Sequence, residues 1–321
     1  MHAIQLRETD GTDALTLQDV PRPEPDRDEL LVRVHAAGVN PLDWLICRGM
    51  VSELVDTALP WIPGWDLSGV VASVGSDVTD FESGDRVFGT VRLPESGGAF
   101  AEYITVTAEE VTTKPESLSH TEAAGVPMVG QTAFHALSEE AGLESGQRVL
   151  VHAAAGGVGH MAVQFAANTG ADVIGTASGY NEAFLRDLGV DEFVNYREER
   201  FEDVLTDVDV VIDGVGGEVL ERSVDVVRPG GVVVTLPERP SERLVKKCRA
   251  EHEIEVRFFD VVVDAEPSTL ERVATRVEAS KVRPEISETY PLAGVKEALD
   301  RSAAGHVRGK LVLDVSGGTD D

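Results

Sequence analysis

Apolar and polar positions alternate along ELLVRVHAAGV (29–39), and short runs of the same kind follow in LSGVVASVG (67–75), GDRVFGTV (84–91) and GGAFAEYITV (97–106). A period of two is what a strand with one buried face requires, because successive side chains point to opposite sides. Gly and Asp at the ends of the runs supply the turns. The opening MHAIQLRETD also reads as a strand. Helical periodicity is sparse over the first 110 residues, so this stretch predicts a compact β-rich unit.

From about residue 120 the rhythm changes. TEAAGVPMVGQTAFHALSEEAGL reads as helices, and strands and helices then alternate. The strands are RVLVHA (148–153), DVIGTA (172–177), EFVNY (192–196), VDVVID (208–213), GVVVTL (231–236) and EIEVRFF (254–259). Helices are expected from Val158, near 182–188, 201–205 and 218–227, and near 242–252. Apolar runs this short suit a parallel sheet buried on both faces, and six of them with crossover helices predict a doubly wound α/β fold. PSTLERVATRVEAS after residue 266 is an amphipathic helix, and ISETYPLAGVKEALDRSAAG gives strand, turn and helix. GKLVLDV (309–315) is a closing strand that returns to the first unit, which is therefore discontinuous.

The chain has 321 residues, enough for two domains and a sizeable core. No run of 18 apolar residues predicts a membrane helix, and no basic-then-apolar leader opens the sequence, so a cytoplasmic protein is expected. The net charge of −29 argues against nucleic acid as a partner, because phosphate repels such a surface. Only six of the 28 basic residues are Lys. An acidic, Lys-poor surface around an ordinary core points to adaptation to high salt, as in halophilic archaea, where screening makes self-repulsion cheap. Cys47 and Cys248 stand far apart with no CxxC and no zinc-ligand spacing, and read as two reduced thiols.

VLVHAAAGGVGHMA places Gly157-x-Gly159-x-x-Ala162 directly after a strand and at the mouth of a helix. Gly157 permits the tight turn, Gly159 lets the backbone approach a pyrophosphate, and Ala162 allows close packing of helix on strand. Free N–H groups at the helix start, Ala155 to Gly159, favour the phosphates. In an NAD(H) site a carboxylate at the end of the second strand binds the ribose 2′-OH. Here Asp172 lies at the wrong end, and Ala177 and Ser178 stand at the right one. Nothing there repels a 2′-phosphate, and Ser178 and Asn181 can donate to it, so NADP(H) is favoured over NAD(H). Glu182, in place of a base, weighs the other way.

IPGWDLSGVVASVGSDVTDFESGDRVFG (62–89), GGAFAEYITV, VGQTAFHAL (129–137), AAAGGVG (153–159) and GHVRGKLVLDV (305–315) stand in an order and spacing that resemble the medium-chain dehydrogenase/reductase superfamily. They are most similar to its zinc-independent quinone oxidoreductase, or zeta-crystallin-like, branch. The resemblance covers essentially the whole chain. It implies a GroES-like catalytic domain (1–122 and 284–321) and a Rossmann NADP(H)-binding domain (123–283), with an active site in the cleft and a homodimer formed through sheet edges. Zinc-dependent members carry Cys where this chain has Asn40, and Gly-His-Glu where it has Gly64-Trp65-Asp66, so no catalytic zinc is expected. Two cysteines cannot build a four-cysteine structural zinc lobe.

Without a metal, the accessible chemistry narrows. Reducing an isolated carbonyl builds charge on one oxygen, which a Lewis acid stabilises well. Reducing a quinone or an α,β-unsaturated carbonyl spreads the charge, and neutral donors worth about 3 kcal/mol each can hold the oxyanion. The expected reaction is hydride transfer from NADPH to a quinone, enone or 2-alkenal. The resemblance implies Asn40 as polariser and Thr132 beside the nicotinamide; Asp43, three residues after Asn40, can orient Asn40 or a water, or simply stabilise the helix start. The resemblance also implies Tyr196 near the 2′-phosphate, with Arg197 or Arg200 as compensating bases. Gly214, Val215, Leu236, Phe259 and Val261 are expected along the cofactor, with Lys310 a further candidate. Trp44 and Trp65 are candidate walls of the substrate pocket. The competing readings are an alcohol dehydrogenase of the same superfamily and a non-catalytic NADPH-binding redox sensor.

Overall fold

The computed structural model describes residues 1–50, 59–93, 97–259 and 267–317. The chain divides into two compact units, Met1–Met128 with Ala265–Asp321, and Val129–Asp264. The helix Pro267–Glu278, set with the second unit in the sequence reading, groups instead with the first, where it packs on the strand Val111–Thr113.

The strands of the first unit are β1 (His2–Leu6), β2 (Leu15–Asp19), β3 (Glu29–Val39), β4 (Asp66–Val74), β5 (Arg86–Thr90), β6 (Tyr103–Thr107) and β7 (Val111–Thr113). After the second unit come β14 (Ile286–Pro291) and β15 (Lys310–Asp314). β1 and β2 form a separate antiparallel pair. The rest form one sheet in the order β14-β15-β3-β4-β5-β7, with β6 also on β3. β3 organises this sheet. It pairs with β4 on one side, and on the other with β6 along its first half and β15 along its second. Most of β3 is buried despite its alternating sequence, because helix α2 (His120–Ala124) covers it together with β4. Ser119 and Glu122 cap α2 reciprocally.

The extended reading of 97–106 holds only from Tyr103. Gly97 and Gly98 take φ of 62° and 123°, left-handed values that break an extended path, and Ala101 makes only an isolated bridge to Ala3.

The second unit holds β8 (Arg148–Val151), β9 (Asp172–Ala177), β10 (Glu192–Asn195), β11 (Val208–Asp213), β12 (Val227–Thr235) and β13 (Glu255–Phe258), all parallel, in the order β10-β9-β8-β11-β12-β13. This is the doubly wound Rossmann arrangement that the apolar runs predict. Leu150, Ile174, Val211 and Val233 put the strand centres into a common core. Arg148 gathers the starting ends of the strands: its backbone N–H donates to Asp209, and its guanidinium reaches Asp172 and Glu192 at 3.3 and 3.1 Å. Among the described residues no helix is long and apolar enough to cross a membrane.

Each unit buries a neutral histidine. In the first, His120 stacks on His35 with ring centroids 4.4 Å apart and lies 2.7 Å from Ser68 Oγ. In the second, His152 sits 3.0 Å from both Thr176 Oγ1 and Ser223 Oγ. Burial pushes both imidazoles down to about 3 from an ordinary 6.5. An unfolded chain takes up protons below that ordinary value while the folded chain refuses them. This share of the stability is therefore complete above the ordinary value and is lost as pH falls toward 3. Carboxyls raised by burial act with the opposite sign, so the histidine share is read by comparison. Relative to His152→Gln, the native chain should lose up to about 1.4 kcal/mol per pH unit through that window in urea unfolding. Parallel pH profiles for the two proteins would refute it.

Candidate functional site

In the second unit, several of the expected cofactor residues follow the carboxyl ends of β8, β9, β11 and β12. The sheet order reverses between β8 and β11, and a crevice opens beyond the carboxyl ends of strands at such a reversal. The turn leaving β8 enters helix α4 (Gly157–Thr169), with Gly156 as its N-cap. Ala155, Gly156, Gly157, Val158 and Gly159 thus form the helix mouth. A Cβ on Gly159 would lie 2.3 Å from Ala153 O and 2.8 Å from Ala154 Cα, so only glycine allows this approach. Ala153 itself takes φ of 50°, a left-handed conformation costing a non-glycine about 1–2 kcal/mol. His152 and His160 are absorbed locally: His160 Nδ1 lies 2.9 Å from Gly156 O, back across the first turn of the helix.

At the end of β11 the Asp213 carboxylate accepts from the N–H groups of Val215 and Gly216, folding the turn back on itself. Val215 is left 49 % exposed beside Gly214. Leu236 follows β12 and is half-buried. Phe259 is buried, stacked on His135 with centroids 4.5 Å apart, and so serves the core of its unit. Val261 lies outside the described residues.

Beyond β9, Ser178 and Asn181 are both buried, and Asn181 Nδ2 donates to Ser178 Oγ at 3.4 Å. They build the turn rather than its surface. The exposed groups are Tyr180 (60 %) and Tyr196 (48 %), with the Arg197 guanidinium 5.9 Å from the Tyr196 ring centroid. Tyr180 was not singled out in the sequence; GYN directly after the second strand was the available signal. Glu182, the unfavourable acid, is paired with Arg186 at 3.1 Å. Thr132 is buried on helix α3 (Pro127–His135).

The first unit holds a buried polar cluster that β-sheet register explains. Leu311 pairs with Val39, which places Lys310 beside Asn40. Asp66 pairs with Gly38 on one side and Thr90 on the other. Helix α1 (Pro41–Cys47) starts directly after Asn40, with Pro41 at its first position. Asp43 caps it from inside, Asn40 N–H donating to Oδ2 at 2.6 Å. The Asn40 amide is held at both ends: Nδ2 donates to Asp66 Oδ2 at 2.9 Å, and Oδ1 accepts from Lys310 Nζ at 2.6 Å. Lys310 also donates to Val39 O at 2.5 Å, and Asp66 Oδ1 accepts from Thr90 Oγ1 and the Met128 N–H.

Asn40, Asp43 and Asp66 have no accessible surface, and Lys310 almost none. Burial pushes the Asp43 carboxyl up to about 8 and raises Asp66, while it lowers Lys310; the lysine charge opposes the carboxyl shifts. Lys310 was expected at the cofactor and proves to be spent on Asn40 and Val39. Trp65 is fully buried against Trp61, with centroids 5.8 Å apart, and has no surface with which to wall a pocket. Trp44 is half-buried on α1 with the Arg48 guanidinium 4.9 Å from its ring.

A GroES-like unit joined to a Rossmann unit with a glycine-turn nucleotide edge defines a two-domain nicotinamide-dependent oxidoreductase. Residues 26–116 match the alcohol dehydrogenase GroES-like domain family, and residues 188–313 match the family described as zinc-binding dehydrogenase. The chain is 32 % identical to a chloroplastic quinone-oxidoreductase homolog of Spinacia oleracea over 98 % of both sequences. It is 31 % identical to a chloroplastic NADPH-dependent alkenal/one oxidoreductase of Arabidopsis thaliana, over 94 % of this chain and 76 % of that protein. The solved quinone oxidoreductase from Coxiella burnetii superposes with a TM-score of 0.91 at 37 % identity, covering 98 % and 99 % of the two chains. The chain belongs to the medium-chain dehydrogenase/reductase superfamily, among its quinone oxidoreductase homologues.

The zinc named in one of those family descriptions does not fit the donors present. The corner where a thiolate and an imidazole are needed offers an amide, two carboxylates and a lysine ammonium already bonded to the amide oxygen. Cys47, on the same helix, is buried, and its thiol is pushed up to about 12 by that burial, the reverse of what a ligand thiolate needs.

Two substitutions test this geometry. Gly159→Ala should weaken binding of the nicotinamide cofactor about tenfold or more by calorimetry, because the turn must shift to admit a methyl group. Asp66→Ala strands three donors and the Lys310 charge, and should cost about 3–5 kcal/mol in urea unfolding. Native-like stability of Asp66→Ala would refute the cluster.

Proposed function

We propose that the protein is an NADPH-dependent reductase of quinones or α,β-unsaturated carbonyls that works without zinc. The observation that carries the reading is the β8–α4 turn, where Gly159 meets Ala153 O too closely for any side chain and leaves the start of a 13-residue helix for a pyrophosphate. Bound there, the cofactor supplies a hydride. Ala177 and Ser178 put no carboxylate where the adenosine ribose would sit, and Tyr180, Tyr196 and Arg197 offer a stacking surface and a cation for a 2′-phosphate. The names of the relatives support the substrate class, and the lack of a thiolate–imidazole donor set supports a delocalised oxyanion over a simple alkoxide.

On the first unit, Asn40 is the proposed donor to the substrate oxygen. One hydrogen of its amide nitrogen is committed to Asp66 and the second remains for the ligand. Because the side chain is buried, this donation requires a small outward shift at the β3–α1 junction. Asp43 holds the Asn40 backbone, and Thr132 is proposed to face the nicotinamide.

Stopped-flow NADPH oxidation with 9,10-phenanthrenequinone and with a 2-alkenal tests the reading. Turnover should survive EDTA treatment and fall about tenfold or more in Asn40→Ala. Arg197→Ala should raise KM for NADPH several-fold, about the loss of one charge-assisted contact, and leave KM for NADH unchanged. NADPH binding without oxidation across such a substrate panel would leave a non-catalytic sensor as the surviving reading.

A further inference from the structure

Lys310 occupies a position that a cofactor role does not explain. Its ammonium is buried in the first unit, donates to Val39 O and Asn40 Oδ1, and interacts electrostatically with Asp66 and Asp43. An asparagine amide has two nearly isosteric orientations, with oxygen and nitrogen exchanged. Here a pure donor lies on one side and a carboxylate on the other. Flipping the amide would aim Nδ2 at an ammonium and Oδ1 at a carboxylate, replacing two hydrogen bonds with two repulsive contacts.

We propose that Lys310, with Asp66, is a positioning residue that locks the Asn40 side chain in a single orientation. Lys310 thereby acts as a fixed internal cation at the corner where zinc-dependent relatives place a metal. The proposal rests on the reading of Asn40 as the oxyanion donor. Its chemistry adds to that reading, because a cation on the amide oxygen draws electron density from the nitrogen and makes the remaining N–H a stronger donor. Sheet register makes the lock possible. β15 arrives antiparallel to β3 with Leu311 opposite Val39, so a residue some 270 positions away lands beside Asn40.

Two readouts separate the lock from general stability. The sequence has four asparagines, at 40, 168, 181 and 195, so selective 15N-asparagine labelling yields few side-chain amide signals. The pair that vanishes in Asn40→Ser should exchange slowly in the native chain. In Lys310→Met it should shift and exchange about tenfold faster or more, the scale of one lost coupling. Should Lys310→Met not fold, Lys310→Arg keeps the charge but puts a larger planar fork where one compact ammonium fits, and the same signal should move. An unmoved Asn40 signal overturns the lock, and this arm holds even if no quinone or enone proves to be a substrate.

Kinetics supply the second readout. Lys310→Met should lower kcat about tenfold with KM for NADPH nearly unchanged, and should lower it no further in an Asn40→Ala background. Additive losses in that double variant, or a raised KM for NADPH with kcat intact, overturn the proposal.

Discussion

Three segments far apart in sequence meet around one buried ammonium. Val39 ends β3 and Asn40 caps the helix that follows, Asp66 begins β4 and Lys310 begins β15. An isolated ion of this kind costs several kcal/mol to bury. It is tolerated because Asp66, and to a lesser degree Asp43, attract it and two oxygens accept its hydrogens. The same contacts fix where β15 begins, where α1 starts and which way the Asn40 amide faces. Removing one partner leaves the others charged or unpaired in a dry interior, so the corner holds or fails as a unit.

The second unit solves a different problem. It must leave backbone donors unused at one edge of a sheet whose other edge is tied down. Arg148 gathers the starts of four strands, and the apolar strand centres fix the register. At the far edge the chain accepts a left-handed alanine and a glycine pressed against a carbonyl. Local strain set on a rigid scaffold is typical of a ligand-binding turn. The two units thus differ in kind: one carries a strained glycine turn at the end of a strand, the other a buried asparagine amide bonded at both ends.

Much of this was legible beforehand. Runs such as VDVVID and GVVVTL announce buried parallel strands, and the Gly157-x-Gly159 turn announces its own location because Gly159 answers a local backbone demand. Asn40 and Asp43 could be paired from spacing alone, since a capping box is a three-residue relation. Other positions turned on burial, which residue identity does not reveal. Ser178 and Asn181 looked like surface donors and are buried partners of each other, while Tyr180 carries the exposed face. Trp65 looked like a pocket wall and is core, because β4 begins at the next residue and Trp61 packs against it.

The amino-acid sequence by itself determined the two-unit architecture, the glycine turn after β8, and the amide and indole at positions 40 and 65. Periodicity, glycine placement and residue identity are properties of short stretches. Only the tertiary structure decided what Lys310 does. Nothing in RGKLVLDV distinguishes a lysine that reaches a phosphate from one that holds an asparagine. That choice is made by the antiparallel register of β15 on β3 and by the two carboxylates that make burial of the charge affordable.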